Sequence, residues 1–195
     1  MSADVIVIGG GLRGLSAALH LSRRGRRVLV LEAERVAAYA SSASAGGVPT
    51  LGRDFAEVPI ALAALEMWRT IASLVGDDCG YTQGGQVKVA ETEAELDQLA
   101  ARVRARRARG WTHEELVDRD ELRRILPAVA PQCVGGLVVR TDGFATPYRT
   151  ALAFQRAAVA AGAVVREGAR VVGLERSGGL WRVALADGTH ETAPV

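Results

Sequence analysis

The chain has 195 residues, enough for one large domain or one domain with an insertion, and 49% of them are hydrophobic, enough for a sizeable core. A formal net charge of +2 argues against a dedicated nucleic-acid binder, and two distant cysteines, Cys79 and Cys133, argue against a disulfide framework or a zinc site. The N-terminus lacks the basic segment of a signal peptide, and no apolar run approaches the roughly 18 residues of a membrane span. We therefore expect a soluble cytoplasmic protein.

The chain begins with a strand–helix–strand pattern. Residues 5–8, "VIVI", are a short β-branched run that is typical of a buried strand. Residues 12–24 carry leucines at helical spacing, and Gly25 is placed to end that helix. Residues 27–32, "RVLVLE", predict a second strand, so that the whole is a βαβ unit with a right-handed crossover.

The middle of the chain mixes helices and strands. The Gly-, Ser- and Ala-rich residues 38–54 predict a loop, and the apolar residues 58–75 predict a helix. Residues 84–91 alternate as in a half-buried strand. Thr92 and Glu95 form a capping-box pattern at the start of a helix that reaches Arg109. Asp118-x-x-Glu121 predicts the start of a further helix, which Pro127 ends. Residues 135–143 predict a strand.

The C-terminal part predicts one helix followed by strands. Thr146 and Pro147 begin the helix, which ends at Gly162. Residues 163–195 are interpreted as four short strands, with hairpin turns at "SGG" and at Asp187-Gly188.

Three glycines in the pattern G-x-G-x-x-G span the turn from the first predicted strand into the first predicted helix. Gly9 permits a tight turn, Gly11 lets the backbone approach a phosphate, and Gly14 lets helix and strand pack closely. The N–H groups of Leu12 and Arg13 would join the donors at the helix N-terminus, where the helix dipole favours an anion. The pattern predicts a site for the pyrophosphate of a dinucleotide.

An acidic residue completes the pattern. Glu32 follows Gly14 by 18 residues, at the end of the second predicted strand. Its carboxylate can accept ribose hydroxyls and would repel a 2′-phosphate, which disfavours NADP. A merely structural glycine turn is the weaker interpretation, because strand, helix and acid all occur in place. These residues leave NAD and FAD both open.

A wider likeness favours FAD. Residues 6–34, "IVIGGGLRGLSAALHLSRRGRRVLVLEAE", resemble the start of the D-amino-acid-oxidase-like flavoprotein family, which includes sarcosine, glycine and related amine or amino-acid oxidases and dehydrogenases. Residues 40–48, "ASSASAGGV", are similar to that family's small-residue loop beside the flavin. Further segments resemble its substrate-domain insertion (82–110 and 116–129) and its return to the FAD domain (142–175).

The resemblance implies an α/β fold and a set of FAD-binding positions. The fold is a Rossmann-like FAD-binding domain with a β-meander, interrupted by an α+β substrate-domain insertion, with boundaries at 1–75, 76–143 and 144–195. The implied cofactor-binding positions are Gly9, Gly11, Leu12, Arg13, Gly14, Glu32, Ala33, Ser41, Ser42, Ala45, Gly46, Gly47 and Val171. Ala33 and Val171 contribute backbone on the adenosine side, and the serines and small residues from 41 to 47 lie near the flavin.

The implied activity is oxidation of the C–N bond of a small amine or amino acid, with transfer of a hydride to the flavin. No dedicated catalytic residue emerges, and the electron acceptor is left open. The first alternative is a non-catalytic FAD- or nucleotide-binding module that works with a partner subunit. An NAD-binding domain is a third interpretation.

The chain is shorter than members of the family. Where it ends, the family continues with a further core strand and a second half that supplies much of the substrate pocket. We therefore expect a truncated chain with its C-terminal half missing and exposed apolar sheet edge. The isolated polypeptide is then expected to bind FAD weakly and to have little activity.

Other side chains give weaker signals. His20, His113 and His190 are not spaced as metal ligands, and no metal is expected. Arg53 is interpreted either as a partner for a substrate carboxylate or as an exposed charge. Met67 and Trp68 lie in an apolar helix and are expected in the core. The arginines of the helix that ends at Arg109 (Arg102, Arg104, Arg106, Arg107 and Arg109) predict a solvated face.

Overall fold

The computed structural model describes residues 3–195. The strands are β1 (Val5–Ile8), β2 (Val28–Leu31), β3 (Gly47–Val48), β4 (Gln86–Ala90), β5 (Glu115–Asp118), β6 (Gly135–Val139), β7 (Gly143–Phe144), β8 (Val164–Arg166), β9 (Val171–Ser177), β10 (Leu180–Leu185) and β11 (His190–Ala193). The helices are α1 (Leu12–Ser22), α2 (Ala40–Ala43), α3 (Val58–Arg69), α4 (Ile71–Val75), α5 (Glu93–Arg107), α6 (Arg119–Ile125) and α7 (Pro147–Ala160).

The described residues form two compact units. The first comprises residues up to Gly46, Ile71–Gly80 and Thr146–Val195, and the second comprises Gly47–Thr70 and Tyr81–Ala145. This division differs from the predicted boundaries, because residues 47–70 group with the middle of the chain. The strand pair β3–β7 and hydrogen bonds from Thr50 and Leu51 to Asp142 hold them there. The assignment of the segments to FAD-binding and substrate domains stays a prediction.

The first unit contains a parallel sheet in the order β1-β2-β8. Its β1–α1–β2 segment is the predicted βαβ unit. Beneath it, Leu31 packs with Val183 and Leu185 of the separate antiparallel sheet β11-β10-β9. The meander therefore has three strands rather than four, because β8 pairs parallel with β2 instead of with β9. β1 lies at the edge of this sheet, and its last residue, Ile8, is 50% exposed. The N–H of Ile6 in the same strand donates to the carbonyl of Val195.

The second unit is built on the antiparallel sheet β4-β6-β5. One side of this sheet buries Leu137 against Leu99 and Val103 of α5. The other buries Val138 against Leu122 of α6. Because successive side chains of β6 point to opposite faces of the sheet, the strand packs against α5 on one face and against α6 on the other. Its short apolar run is therefore buried on both sides.

Two expectations for the middle of the chain are corrected. The helix predicted for residues 58–75 is broken at Thr70, whose N–H donates to the carbonyl of Met67 in a tight last turn before α4 begins. Met67 is 48% exposed and not in the core, because α3 buries only Val58 and Leu65. The loop predicted for 38–54 contains the short helix α2.

The capping box of α5 is formed as predicted. Thr92 Oγ1 accepts from the N–H of Glu95 at 3.2 Å, and the Glu95 carboxylate accepts from the N–H of Thr92 at 3.2 Å. We expect Thr92→Ala to lower the free energy of unfolding by about 1 kcal/mol, because one helix donor loses its acceptor. Urea denaturation followed by circular dichroism measures this. Thr112→Ala, an exposed threonine outside any helix, is the matched control, and an equal loss there would contradict the assignment.

Candidate functional site

The glycine turn joins β1 to α1. Gly9 has φ +106°, a left-handed conformation that favours glycine, and its N–H donates to the carbonyl of Leu31 at 2.8 Å. Gly11 is the N-cap of α1, which begins at Leu12. The first-turn N–H groups of this 11-residue helix have no acceptor within the helix, so they are available to other acceptors at this end.

Two of the glycines are required by close contacts. A Cβ atom on Gly14 would lie 2.1 Å from the carbonyl oxygen of Gly9. A Cβ atom on Gly11 would lie 2.8 Å from Ser41 Oγ. Gly14 therefore lets α1 pack directly on the turn, and Gly11 leaves room for Ser41 at the helix N-terminus.

Ser41 is brought to the helix N-terminus by α2. Its Oγ accepts a hydrogen bond from the N–H of Leu12 at 2.9 Å across 29 residues of chain. Sequence reasoning placed Ser41 beside the flavin through the resemblance but did not foresee this contact, because α2 lies in a segment predicted to be a loop. A serine preceding a short run of small residues was the available signal.

Glu32 lies at the end of β2 with only 8% of its surface exposed. One carboxylate oxygen accepts from the N–H of Gly10 at 2.6 Å and the other from the N–H of Glu34 at 3.0 Å. Each oxygen has a further lone pair, so the carboxylate can still accept a hydroxyl. The turn and the acid are thus directly joined by a hydrogen bond that the sequence analysis did not anticipate, and the role of Glu32 towards a ribose stays a prediction.

The remaining predicted site residues of the first unit differ in their burial and in their contacts. Val171 packs against the core cluster that contains Leu31, next to the end of β2. Ala33 is half-buried and Arg13 is exposed. Ser42 donates from Oγ to the carbonyl of Tyr39 at 2.9 Å and does not join the turn. Ala45 is exposed, and Gly46 has φ +75°, which turns the chain before the second unit.

Gly47 belongs to the second unit and lines a cleft of about 310 Å³ there. The apolar side of the cleft is α3, with Ile60, Leu65 and Trp68. Trp68 also stacks on Tyr81 with ring centroids 5.6 Å apart. The charged side chains lining the cleft are Arg53 and Glu57.

A buried charged cluster holds the loop that carries Arg53. Arg102 Nε and Arg106 Nε each lie 2.9 Å from Glu114 Oε2, and the Glu114 side chain is fully buried. Glu114 also accepts from the N–H of Gly52 at 3.0 Å. The predicted solvated face is therefore wrong for Arg106, which is 1% exposed because it reaches inward to this acid.

No cluster of at least three potential metal-ligating side chains occurs in the part of the chain that the structure describes. Among those same residues, 3–195, no helix is long and apolar enough to cross a membrane. His113 lies in the second unit, and its Nε2 is buried without a hydrogen-bond partner among the described residues.

Comparisons with known proteins agree with this geometry. The model of the DAO family, described as FAD dependent oxidoreductase, matches residues 4–195. Glycine oxidase of Bacillus licheniformis is 30% identical over 96% of this chain and 51% of its own length. An opine oxidase subunit of Rhizobium meliloti is 29% identical over 88% of this chain and 49% of its own length. The crystal structure of glycine oxidase from Geobacillus kaustophilus superposes with a TM-score of 0.90 at 26% identity, over 100% of this chain and 54% of the other. This chain thus spans about half the length of these relatives.

Gly14→Ala is expected to destabilise the first unit by roughly 1–3 kcal/mol, because its Cβ would collide with the Gly9 carbonyl and force α1 away from the turn. Thermal denaturation measures the change. Gly173→Ala is the matched control, since a Cβ there meets only the Ala184 side chain at 3.7 Å. Equal stability of the two variants would show that the close approach is not required.

Burial lowers the pKa of His113, assisted by Arg106 and Arg102 and opposed by Glu114 and Asp142. The folded state therefore binds the proton less readily than the unfolded state, whose histidine titrates at about 6.5. The folded protein therefore keeps its full unfolding free energy above the pKa of the unfolded state. It loses part of that free energy as the pH falls towards the pKa of His113 in the folded state. We expect His113→Gln to flatten the fall in unfolding free energy between about pH 7 and about pH 5. Superimposable pH profiles of the two proteins would contradict this.

Proposed function

Because the chain belongs to the DAO family of FAD-dependent oxidoreductases, whose model spans residues 4–195, we propose that its glycine turn binds the ADP half of FAD. The close approach of Gly14 to Gly9 beside a buried, hydrogen-bonded Glu32 supports this most strongly. A pyrophosphate needs backbone donors, and the first turn of α1 supplies them.

The residues around the turn would divide the work of holding the cofactor. The N–H groups of Gly11 and Arg13 would donate to the pyrophosphate, and the N–H of Leu12 would join them when the pyrophosphate replaces Ser41 Oγ as its acceptor. Glu32 would accept the ribose hydroxyls through its remaining lone pairs. Ala33 and Val171 would offer backbone towards the adenine.

The small-residue segment would lie on the flavin side. We assign Ser42, Ala45, Gly46 and Gly47 to this role, which rests on the family resemblance and on the lack of bulky side chains where a flat ring would meet the main chain. The left-handed conformation at Gly46 is consistent with such a bend.

The proposed reaction is oxidation of a C–N bond in a small amine or amino acid. FAD supplies the electron-accepting chemistry when bound. The protein's contribution is to bind and orient the two partners, and no residue is assigned as a general acid or base. The names of the relatives, a glycine oxidase and an opine oxidase subunit, support this substrate class.

A second proposal is a module that works only with a partner chain. The relative from Rhizobium meliloti favours it, because that protein is named as one subunit of an opine oxidase. Co-purification of a second polypeptide at equal stoichiometry from the native source would support this alternative. Flavin turnover by a single purified chain would exclude it.

Binding of ADP tests the role of the turn and its acid. We expect ADP to bind the chain at least about tenfold more tightly than ADP that carries an additional phosphate on its 2′ oxygen, because Glu32 would lose its hydroxyl partner and face a phosphate. In Glu32→Gln this preference should shrink, since the repelling charge is gone.

Isothermal titration calorimetry measures both affinities, with Glu34→Gln as the matched control on the exposed neighbour. Equal binding of the two nucleotides by the unaltered chain would contradict the assignment. The absorbance spectrum of the cofactor that is released when the protein is denatured distinguishes FAD from a nicotinamide cofactor.

A further inference from the structure

The loop of residues 50–54 in the second unit is held by two buried carboxylates. Asp142, which is fully buried, accepts from the N–H groups of the first two residues of the loop, each at 2.8 Å. Glu114, which is also buried, accepts from the N–H of Gly52 at 3.0 Å. Hydrogen bonds to a charged acceptor are stronger than those between neutral groups. The position of the loop therefore depends on where these two carboxylates point.

Two arginines of α5 complete this arrangement. The carbonyl of Arg53 accepts from Arg102 Nη2 at 2.6 Å and from Arg106 Nη2. Both guanidinium groups also form ion pairs with Glu114. Each residue from 50 to 53 thus has a backbone group that is hydrogen-bonded to a charged side chain from another segment of the chain.

His113 lies beside this charged cluster, which consists of Arg102, Arg106, Glu114 and Asp142. Its Nε2 is buried and has no hydrogen-bond partner among residues 3–195. Burial lowers the pKa of His113, and all four members of the cluster act on the imidazole, the arginines lowering its pKa further and the carboxylates raising it. The imidazole is therefore neutral at pH 7 in the folded chain.

Protonation of His113 upsets the charge balance of the cluster. Two guanidinium groups and two carboxylates cancel in formal charge, so an imidazolium leaves one cation in excess. The excess arises beside Arg106, which is 1% exposed and whose buried Nη1 has no hydrogen-bond partner in the part of the chain that the structure describes. A buried charge without a partner is costly, so the neighbouring groups are expected to rearrange.

An imidazolium also competes for the acceptors that hold the loop. It has two N–H donors, and the carboxylates that attract it are Glu114 and Asp142. These same carboxylates accept from the N–H groups of Thr50, Leu51 and Gly52. The loop contains no helix or strand, so its backbone has no regular ladder of hydrogen bonds to keep it in place. The loop is therefore the part that yields when its acceptors turn towards His113.

We propose that His113 is a pH-sensitive switch for the loop of residues 50–54. With a neutral imidazole the two carboxylates hold the loop, and with an imidazolium they release it while the sheet β4-β6-β5 stays folded. Thr50 and Arg53 line the cleft of about 310 Å³, so release of the loop changes the shape of that cleft in mild acid. The switch lies in the second unit and operates without a cofactor, so it goes beyond the proposed function.

Hydrogen exchange of single amides, followed by NMR on the full chain, tests the switch. The informative amides are those of Thr50, Leu51 and Gly52, with rates expressed as protection factors so that the intrinsic effect of pH on exchange is removed. Uptake of one proton with a pKa of about 6.5 in the released state can lower these factors by at most about tenfold between about pH 7.5 and about pH 5.5. We expect a fall of several-fold within that limit. It should depend little on low concentrations of urea, because release of one loop exposes little surface.

His113→Gln is expected to abolish this fall, because the glutamine side chain does not titrate. His190→Gln, which replaces an exposed histidine of β11, is the matched control and should retain it. The imidazole Cε1–H resonance of His113 in the unaltered chain provides a measurement that needs no variant. Its titration midpoint should lie below about 6.5, and the fall in protection should level off near that midpoint.

An equal fall in His113→Gln and in the unaltered chain would assign the effect to the carboxylates and overturn the inference. Loop amides with the same protection and the same urea dependence as the amides of β6 would also overturn it, because the loop would then open only when the whole unit unfolds. Should His113→Gln fail to fold, the resonance of His113 decides. A midpoint at or above about 6.5 contradicts the switch, and a lower midpoint at which the fall in protection levels off supports it.

Discussion

The packing of α1 on the glycine turn is the contact on which the first unit depends. With no side chain at Gly14, the helix comes within reach of the Gly9 carbonyl, where a methyl group would be only 2.1 Å from oxygen. In the same turn, the N–H of Gly10 donates to the carboxylate of Glu32. One missing Cβ thus sets how closely α1 approaches the turn.

The second unit fixes one of its loops by buried charged groups. Its loop of residues 50–54 has no regular structure, and backbone groups there need acceptors. Buried Asp142 and Glu114 supply them, while Arg102 and Arg106 neutralise Glu114 and bind the Arg53 carbonyl. Desolvated charged groups therefore hold the backbone of this loop in one position.

Local rules predicted much of the fold because the signals lie within one element. The capping box at Thr92 and Glu95, the glycine at position 25 with φ +75° and the proline that opens α7 all act over a few residues. The proximity of the glycine turn and its acid could also be predicted, since a βαβ unit brings the end of β2 beside the end of β1. By contrast, β8 joins β2 rather than the meander, a pairing over more than 130 residues that no local pattern specifies.

The sequence by itself determined the βαβ unit, the glycine turn with Glu32, and the likeness to an FAD-dependent family. These depend on backbone conformation and on spacing along one segment. Only the tertiary structure decided that Ser41 contacts the N-terminus of α1, that Arg106 is buried against Glu114, and that Arg53 and Glu57 share a cleft. An arginine on a helix looks alike in sequence whether it faces water or a buried carboxylate. Its partner lies on another element of the fold, and the free energy of their interaction depends on how deeply both side chains are buried.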